Sequence, residues 1–414
     1  MKVVGLITEY NPFHYGHKYH LEKSKEITGA THSIAIMSSS FVQRGEPSLI
    51  DKWTKAKMAV ENGIDLVIEL PFVYAAQSAE FFAYGAVSIL DSLNTVDYLC
   101  FGSESGNLEP LVKLSRILLE EPYFYKERLK AQLSLGVSFS HARSKAIEEY
   151  LSCVGKDDNF DYADILSKSN NILGIEYLKA LGKLKSKIIP ITLMRQGRDY
   201  NDKNTSDGFA SATGIRNILL NDDKRLIKGL VPYETYILLE EYIDKFKSFN
   251  SLENYNSIFQ YLLNIMDKEE FKNIMDIENG LENRIISKGL LFNDIDELID
   301  EISTKRYPKT RIQRIFIHLL MRLYEDDIKN FYRCNPPYIR VLGANKKGLE
   351  LLRQIKANSD LIIITKYADY KRYKNDLMNR FLSFEERATD IFFLGLKPGK
   401  SLAKMDYFIS PFIK

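Results

Sequence analysis

The chain has 414 residues, enough for about two to three domains with a core in each. Its 57 lysines and arginines nearly balance 55 aspartates and glutamates, so any surface for a polyanion must be a local patch. Cys100, Cys153 and Cys334 have no pairing rhythm, no apolar run reaches the roughly twenty residues of a membrane span, and Met1-Lys2 leads straight into an apolar strand. These features exclude a disulfide-built scaffold and a spanning helix, and the expectation is a soluble cytoplasmic protein.

The apolar run Val3–Ile7 reads as a strand and is followed at once by Tyr10-Asn11-Pro12-Phe13-His14-Tyr15-Gly16-His17. Half of the six histidines, His14, His17 and His20, fall where this strand hands over to a helix beginning near His17. Pro12 bends the chain out of the strand, Gly16 lets backbone approach a ligand, and the helix start points free N–H groups into the same space. Phosphate suits such a place, because imidazoles beside a helix N-terminus can stabilise charge developing on a phosphoryl oxygen. Two plainer readings stand beside it: polar residues at a helix start, or a metal-binding pair lacking a Cys or carboxylate cluster to complete it.

Next, Ser33–Met37, Leu66–Leu70 and Tyr98–Phe101 read as strands, and Lys18–Ile27, Lys52–Asn62 and Ala79–Leu93 as crossover helices. That alternation predicts an α/β fold, a Rossmann-like doubly wound parallel sheet whose ligand lies outside the carboxyl ends of the strands. Residues 37–47 form a loop too long for a minimal connection, either a lid or substrate wall or a solvated loop. Gly102, after the fourth strand, is either a turn glycine or a point where a nucleoside approaches the backbone.

Residues 109–151 read helical with breaks at Pro122 and Gly136, and Ser138 and Ser140 can cap the helix carrying His141, a histidine read as structural. A further helix starts around Ser169-Asn170-Asn171, with one asparagine a candidate N-cap. Ile188–Met194 reads as a fifth strand with Arg195 at its carboxyl end and Arg198 as the competing arginine for a polyphosphate. In Ala210-Ser211-Ala212-Thr213-Gly214-Ile215-Arg216, small hydroxyl residues at a helix start precede an arginine one turn in, a cap in isolation and a phosphate cradle in this position.

Beyond about Lys224 the periodicity is helical: Tyr233–Ser248, Ser251–Met266, Lys268–Met275, Leu281–Leu291, Asn293–Glu301 and Lys309–Asp326. Lys305, Arg306, Lys309, Arg311 and Arg314 place five cations in ten residues around Tyr307, a solvated helix start or an RNA-binding patch. After Pro336-Pro337, Tyr338–Leu342 and Leu361–Thr365 read as strands flanking the helix Lys346–Ile355. Residues 366–373 form a second cationic, tyrosine-rich cluster. The expected division is residues 1–223 as a nucleotide-binding catalytic domain, 224–335 as a helical domain and 336–414 as a small α/β region.

The Pro-x-His-x-Gly-His arrangement resembles the signature of the nucleotidyltransferase superfamily, HUP-type in fold. Gly5–His17, Met37–Pro47 and Asp65–Pro71 resemble, more particularly, the bacterial tRNA(Met) cytidine acetate ligase family, with the likeness strongest over residues 1–220. The resemblance implies that acetate attacks the α-phosphate of ATP and that the acetyl group then passes to the wobble cytidine of elongator tRNA(Met). It implies His14 and His17 as catalytic groups. ATP would lie against Ile7, Thr8, Glu9, Tyr10, Asn11, Pro12, Phe13, His14, Tyr15, Gly16, His17, Lys18, Tyr19 and His20, with Gly102, Asn170, Arg195, Ser211, Thr213 and Arg216. Arg195 is favoured over Arg198 because the family's arginine precedes an Asp-Tyr pair by four residues, here Asp199-Tyr200. A magnesium ion is expected with ATP, with no ligand named, and the tRNA is expected on the Lys305–Arg314 segment. Two other readings of the residues remain: an adenylyltransferase acting on a phosphorylated metabolite, and a non-catalytic RNA-binding protein on a nucleotide-binding scaffold.

Overall fold

The computed structural model describes residues 1–155, 160–195, 210–221, 224–332, 334–396 and 402–414. Arg198, Asp199 and Tyr200 lie outside the described residues. The strands are β1 (Val3–Thr8), β2 (His32–Ser38), β3 (Phe41–Val42), β4 (Glu46–Pro47), β5 (Leu66–Leu70), β6 (Tyr98–Ser103), β7 (Ile189–Met194), β8 (Tyr338–Ala344), β9 (Ile362–Ile364) and β10 (Phe412–Ile413).

Strands β5, β2, β1, β6 and β7 lie side by side in that order, all parallel. Every residue of β2 and β5 is buried, as expected of strands covered by helices on both faces. The strand order reverses between β2, β1 and β6, so the carboxyl ends of these strands open the crevice where a doubly wound sheet takes its ligand. The first helix runs Tyr15–Thr28, and Lys52–Glu61, Ala79–Ser92 and Ser169–Leu184 follow as the later crossovers.

Residues 336–414 join this sheet. β8 pairs antiparallel with β5, and both β9 and β10 pair parallel with β8, giving an eight-stranded sheet of mixed edge. A buried ionic cluster locks the junction: Lys52 Nζ lies 2.7 Å from Glu69 and 2.9 Å from Asp406, and Arg340 lies 2.6 Å from Asp406 and 3.3 Å from Glu69. A helix the periodicity left unassigned, Asp376–Leu394, buries Phe381, Leu382, Phe384, Phe392 and Phe393.

Between Tyr233 and Tyr332 the described elements are helices. The segment read as one helix, Lys309–Asp326, is two, Lys309–Met321 and Glu325–Tyr332. Arg322 takes a left-handed conformation (φ 45°) and its N–H closes back on His318 and Leu319, ending the first helix without a glycine. No helix of the described residues is long and apolar enough to cross a membrane.

Candidate active site

β1 delivers the chain at Ile7 and Thr8 into a tight turn at the sheet's carboxyl end. Tyr10 is left-handed (φ 46°), and Tyr10, Asn11, Pro12 and Phe13 are buried. Glu9 Oε1 accepts the Gln43 N–H at 2.8 Å, and Asn11 Oδ1 accepts the Leu49 N–H at 2.7 Å, so the loop after β2 holds the turn from the side. That loop, residues 37–47, is packed rather than solvated, since only Arg44 within it is exposed.

The helix begins at Tyr15, two residues earlier than the spacing suggested, because His14 is its N-cap. His14 Nδ1 accepts the Gly16 N–H at 3.0 Å, and His17 Nδ1 accepts the His14 N–H at 3.3 Å, a capping box built from imidazoles. The two rings stack with centroids 3.8 Å apart, and Tyr10 meets His17 edge-on at 4.9 Å. An Nδ1 that accepts a hydrogen bond is unprotonated, so each neutral ring carries its proton on Nε2. Burial first, then the Arg195 and Arg216 guanidinia, push His14 down to about 4. Burial also holds His17 well below its usual range, with His14, His20 and Arg195 adding to it. His20, likewise down to about 4 by burial and Arg195, has a buried Nε2 with no hydrogen-bond partner among the described residues. Tyr15, Lys18 and Tyr19 are half-buried on the first turns of the same helix.

The second set of groups comes from β6, β7 and two helix starts. Gly102 lies beside the Arg195 side chain, and a Cβ added there would sit 3.0 Å from Arg195 Cγ, close enough to push that arginine aside by a few tenths of an ångström. Arg195 donates to Asn170 Oδ1 at 2.8 Å. Neither asparagine is the N-cap of Ser169–Leu184. Instead Glu104, at the end of β6, accepts from Asn170 N at 3.2 Å, Asn170 Nδ2 at 2.6 Å and Asn171 N at 2.8 Å. Asn171 Oδ1 returns the contact by accepting the Glu104 and Ser105 N–H groups, so Asn170 faces the arginine while Asn171 ties the loop.

Ser211 Oγ accepts the Gly214 N–H at 3.1 Å and caps the helix Ala212–Asn221. Arg216 reaches from that helix to the first motif. Its Nη1 donates to the Asn11 carbonyl at 3.1 Å, and its Nη2 approaches Thr213 Oγ1 at 3.3 Å. The two signatures, about two hundred residues apart, thus share a hydrogen bond. Two guanidinia and the Nε2–H groups of neutral imidazoles around a helix N-terminus make an electropositive site suited to a transferring phosphoryl group. No group of three or more His, Cys, Asp or Glu side chains that could hold a metal ion occurs among the described residues.

The candidate RNA segment lies on the helical part of the chain, and most of its cations are already paired. Arg306 and Arg311 both reach Glu278, at 3.1 and 2.8 Å, and Lys309 reaches Asp300 at 2.7 Å. Arg314 turns inward beside Asp276 at 3.6 Å, its side chain 11% exposed against 59% for Arg306. Lys305, Arg306 and Lys309 are the exposed members.

Three residues given no role by the sequence complete the site. Glu104 is one. Lys55 is fully buried and donates to the carbonyls of Ser38 (2.8 Å), Ser39 (2.9 Å) and Glu9 (3.2 Å), pinning the ends of β1 and β2 together. Burial lowers its ammonium to about 7, opposed by Glu9 and Asp51. A lysine among the apolar positions of Lys52–Glu61 was the available signal. Glu46, on β4, lies 3.5 Å from Arg216.

An electropositive site at the carboxyl ends of a doubly wound sheet, headed by a His-x-Gly-His helix start, has the layout of a nucleotidyl-transferring enzyme. A model of the HIGH Nucleotidyl Transferase family matches residues 1–405. The chain belongs to that family and, within it, to the tRNA(Met) cytidine acetate ligases. Proteins so named from Thermoanaerobacter sp. (strain X514) and Clostridium perfringens (strain ATCC 13124) are 44% and 43% identical to it over the full length of both chains. The one from Acetivibrio thermocellus is 41% identical over 96% of each. The crystal structure of Thermotoga maritima TmcAL bound with alpha-thio ATP superposes with a TM-score of 0.92 at 31% identity, covering 100% of this chain and 99% of that one. The apo form of the same protein superposes with a TM-score of 0.94 at equal coverage.

Proposed function

We propose that this chain is an ATP-dependent ligase that activates acetate and acetylates the wobble cytidine of elongator tRNA(Met). A carboxylate oxygen of acetate attacks the α-phosphorus of ATP and the bond to the bridging oxygen breaks, giving acetyl-adenylate and pyrophosphate. The exocyclic amine of the cytidine then attacks the acyl carbon and loses a proton, and the acyl–phosphate bond breaks with AMP leaving. The observation that carries this reading is the meeting of Arg216 with Asn11 beside the imidazole pair, which brings both phosphate signatures to one place.

In this reading His14 and His17 donate their Nε2–H groups to the α-phosphoryl oxygens, where negative charge grows in the transition state. Arg195 and the Ser211, Thr213 and Arg216 segment hold the departing pyrophosphate, and Gly102 and Asn170 keep Arg195 in line. A magnesium ion bound with ATP would supply charge compensation. Residues 1–223 carry activation, and the exposed cations Lys305, Arg306 and Lys309 of the helical region meet the RNA. Arg311 and Arg314 support that surface by holding Glu278 and Asp276.

The test is incubation with labelled acetate, ATP and total tRNA. Acetyl-adenylate together with label in elongator tRNA(Met) is the expected result. Adenylate without labelled RNA returns the reading to a nucleotidyl transferase with another acceptor, and neither product rejects it.

A further inference from the structure

The hairpin β3–β4 stands between two parts of the molecule that no other feature described above joins. On one side is Arg216, which spans from its own helix to the Asn11 carbonyl. On the other is the helix Lys309–Met321, with exposed Lys309 at its start and exposed Lys305 and Arg306 in the segment just before it. The hairpin touches both through consecutive residues. Gly45 has φ 81° and packs against the helix backbone so closely that a Cβ would fall 2.6 Å from Gln313 C and 2.7 Å from Arg314 Cα. Beside it, Glu46 Oε1 accepts from Gln313 Nε2 at 3.4 Å, and its other oxygen, Oε2, lies 3.5 Å from Arg216 Nη2.

Arg216 has a demanding place to keep. A guanidinium has five N–H donors in one plane, and to serve a phosphate some must be fixed on protein while others face the ligand. Asn11 O and Thr213 Oγ1 are neutral acceptors. Glu46 adds a carboxylate in ion-pair contact, 3.5 Å from the same Nη2 that meets Thr213. The pair is largely sheltered, with side chains 15% and 30% exposed, so it is screened less than an ion pair in open solvent.

We propose that Glu46 is a positioning residue for ATP: it fixes one edge of Arg216 so that the other edge meets the polyphosphate, and the helix Lys309–Met321 fixes Glu46. The role rests on Arg216 being a phosphate ligand, and Glu46 acts through that arginine without touching the nucleotide. It follows that the helical region bears on the activation chemistry mechanically, through Gln313, Glu46 and Arg216.

The experiment uses the full chain and α-thio ATP as the binding probe, with acetate-dependent ATP–pyrophosphate exchange as a second readout. Glu46→Gln keeps length and an acceptor for Gln313 but removes the charge. Its Kd for α-thio ATP and its KM for ATP should rise about three- to tenfold while kcat and Tm hold. In an Arg216→Met background the same change should have no further effect, because the guanidinium through which Glu46 acts is gone. If Glu46→Gln unfolds, Gln313→Ala carries the test, with a smaller rise in Kd expected in the same direction. An unchanged or tighter Kd, or losses that add in the double variant, overturns the proposal. A wild-type chain that binds α-thio ATP but shows no acetate-dependent exchange rejects the acetate reading alone, since the Kd comparison still decides Glu46. A wild-type chain that binds no α-thio ATP overturns both.

Discussion

Glu104 offers a sharp test of how the site is assembled, because one carboxylate there serves two purposes. It accepts three hydrogen bonds from Asn170 and Asn171 at the amino end of a 16-residue helix, where backbone N–H groups otherwise lack partners. Replacing it with alanine removes a cap, at about 1–2 kcal/mol, and a negative charge at the positive end of the helix dipole, at about 0.3–1 kcal/mol. Glu104 is half-buried, so a combined loss of about 2 kcal/mol is expected from urea denaturation followed by circular dichroism. The second effect is on the ligand. Asn170 loses the acceptor that orients its amide, and Arg195 loses a fixed Oδ1 at 2.8 Å, so affinity for α-thio ATP should fall about tenfold. Glu104→Gln keeps one acceptor but turns an NH2 toward N–H donors, and should lie between the two. An alanine variant with the wild-type urea midpoint refutes the capping argument. One that is destabilised yet binds α-thio ATP as before refutes the link from Glu104 through Asn170 to Arg195.

His14→Asn separates chemistry from capping. Asparagine caps helices well, so stability should change by less than about 1 kcal/mol, while acetyl-adenylate formation falls by about 10²–10³-fold; equal losses of fold and rate would contradict the assignment. His14 and His20 stay neutral in the fold down to about pH 4, whereas an unfolded histidine protonates near 6.5. The unfolded state therefore holds more protons between those values, and stability should fall as pH drops from about 6.5 to about 4. Nuclear magnetic resonance of the ligand-free chain should find both rings without a titration near 6.5. Lys55→Met leaves three carbonyls at the ends of β1 and β2 without their donor, for an expected loss of about 2–4 kcal/mol by urea denaturation. A variant as stable as wild type would mean that desolvating the ammonium cancels its hydrogen bonds.

The parallel core and the two motif segments that meet at its carboxyl end were legible because each is written in local spacing. Strand, histidine turn and helix sit within the first 28 residues, and Ser211 to Arg216 spans barely more than one helical turn. What escaped lies in partnerships between distant polar residues, which leave no period in the sequence. Glu104 meets Asn170 across 66 residues and Gln313 meets Glu46 across 267. The same blindness made Arg311 and Arg314 look like free cations when Glu278 and Asp276 already hold them. Arg322 ends its helix in a conformation usually left to glycine, so no breaker marked the stop. β8 was recognisable as a strand, but its place against β5 depends on a register that only the packed sheet specifies.

That last placement bears on how the chain is made. A ribosome releases β1, β2, β5, β6 and β7 first, and until β8 emerges the outer edge of β5 has no neighbour. All five residues of β5 are buried in the finished fold, so a nascent or truncated chain ending before Tyr338 exposes an apolar strand edge, a template for association with other chains. Arg340 follows Glu69 by 271 residues, and Asp406 follows later still, so the cation and anion that complete the Lys52–Glu69 pair both come from the tail. Residues 338–414 thus cover the outer edge of β5 and supply the charges that complete the buried Lys52–Glu69 pair.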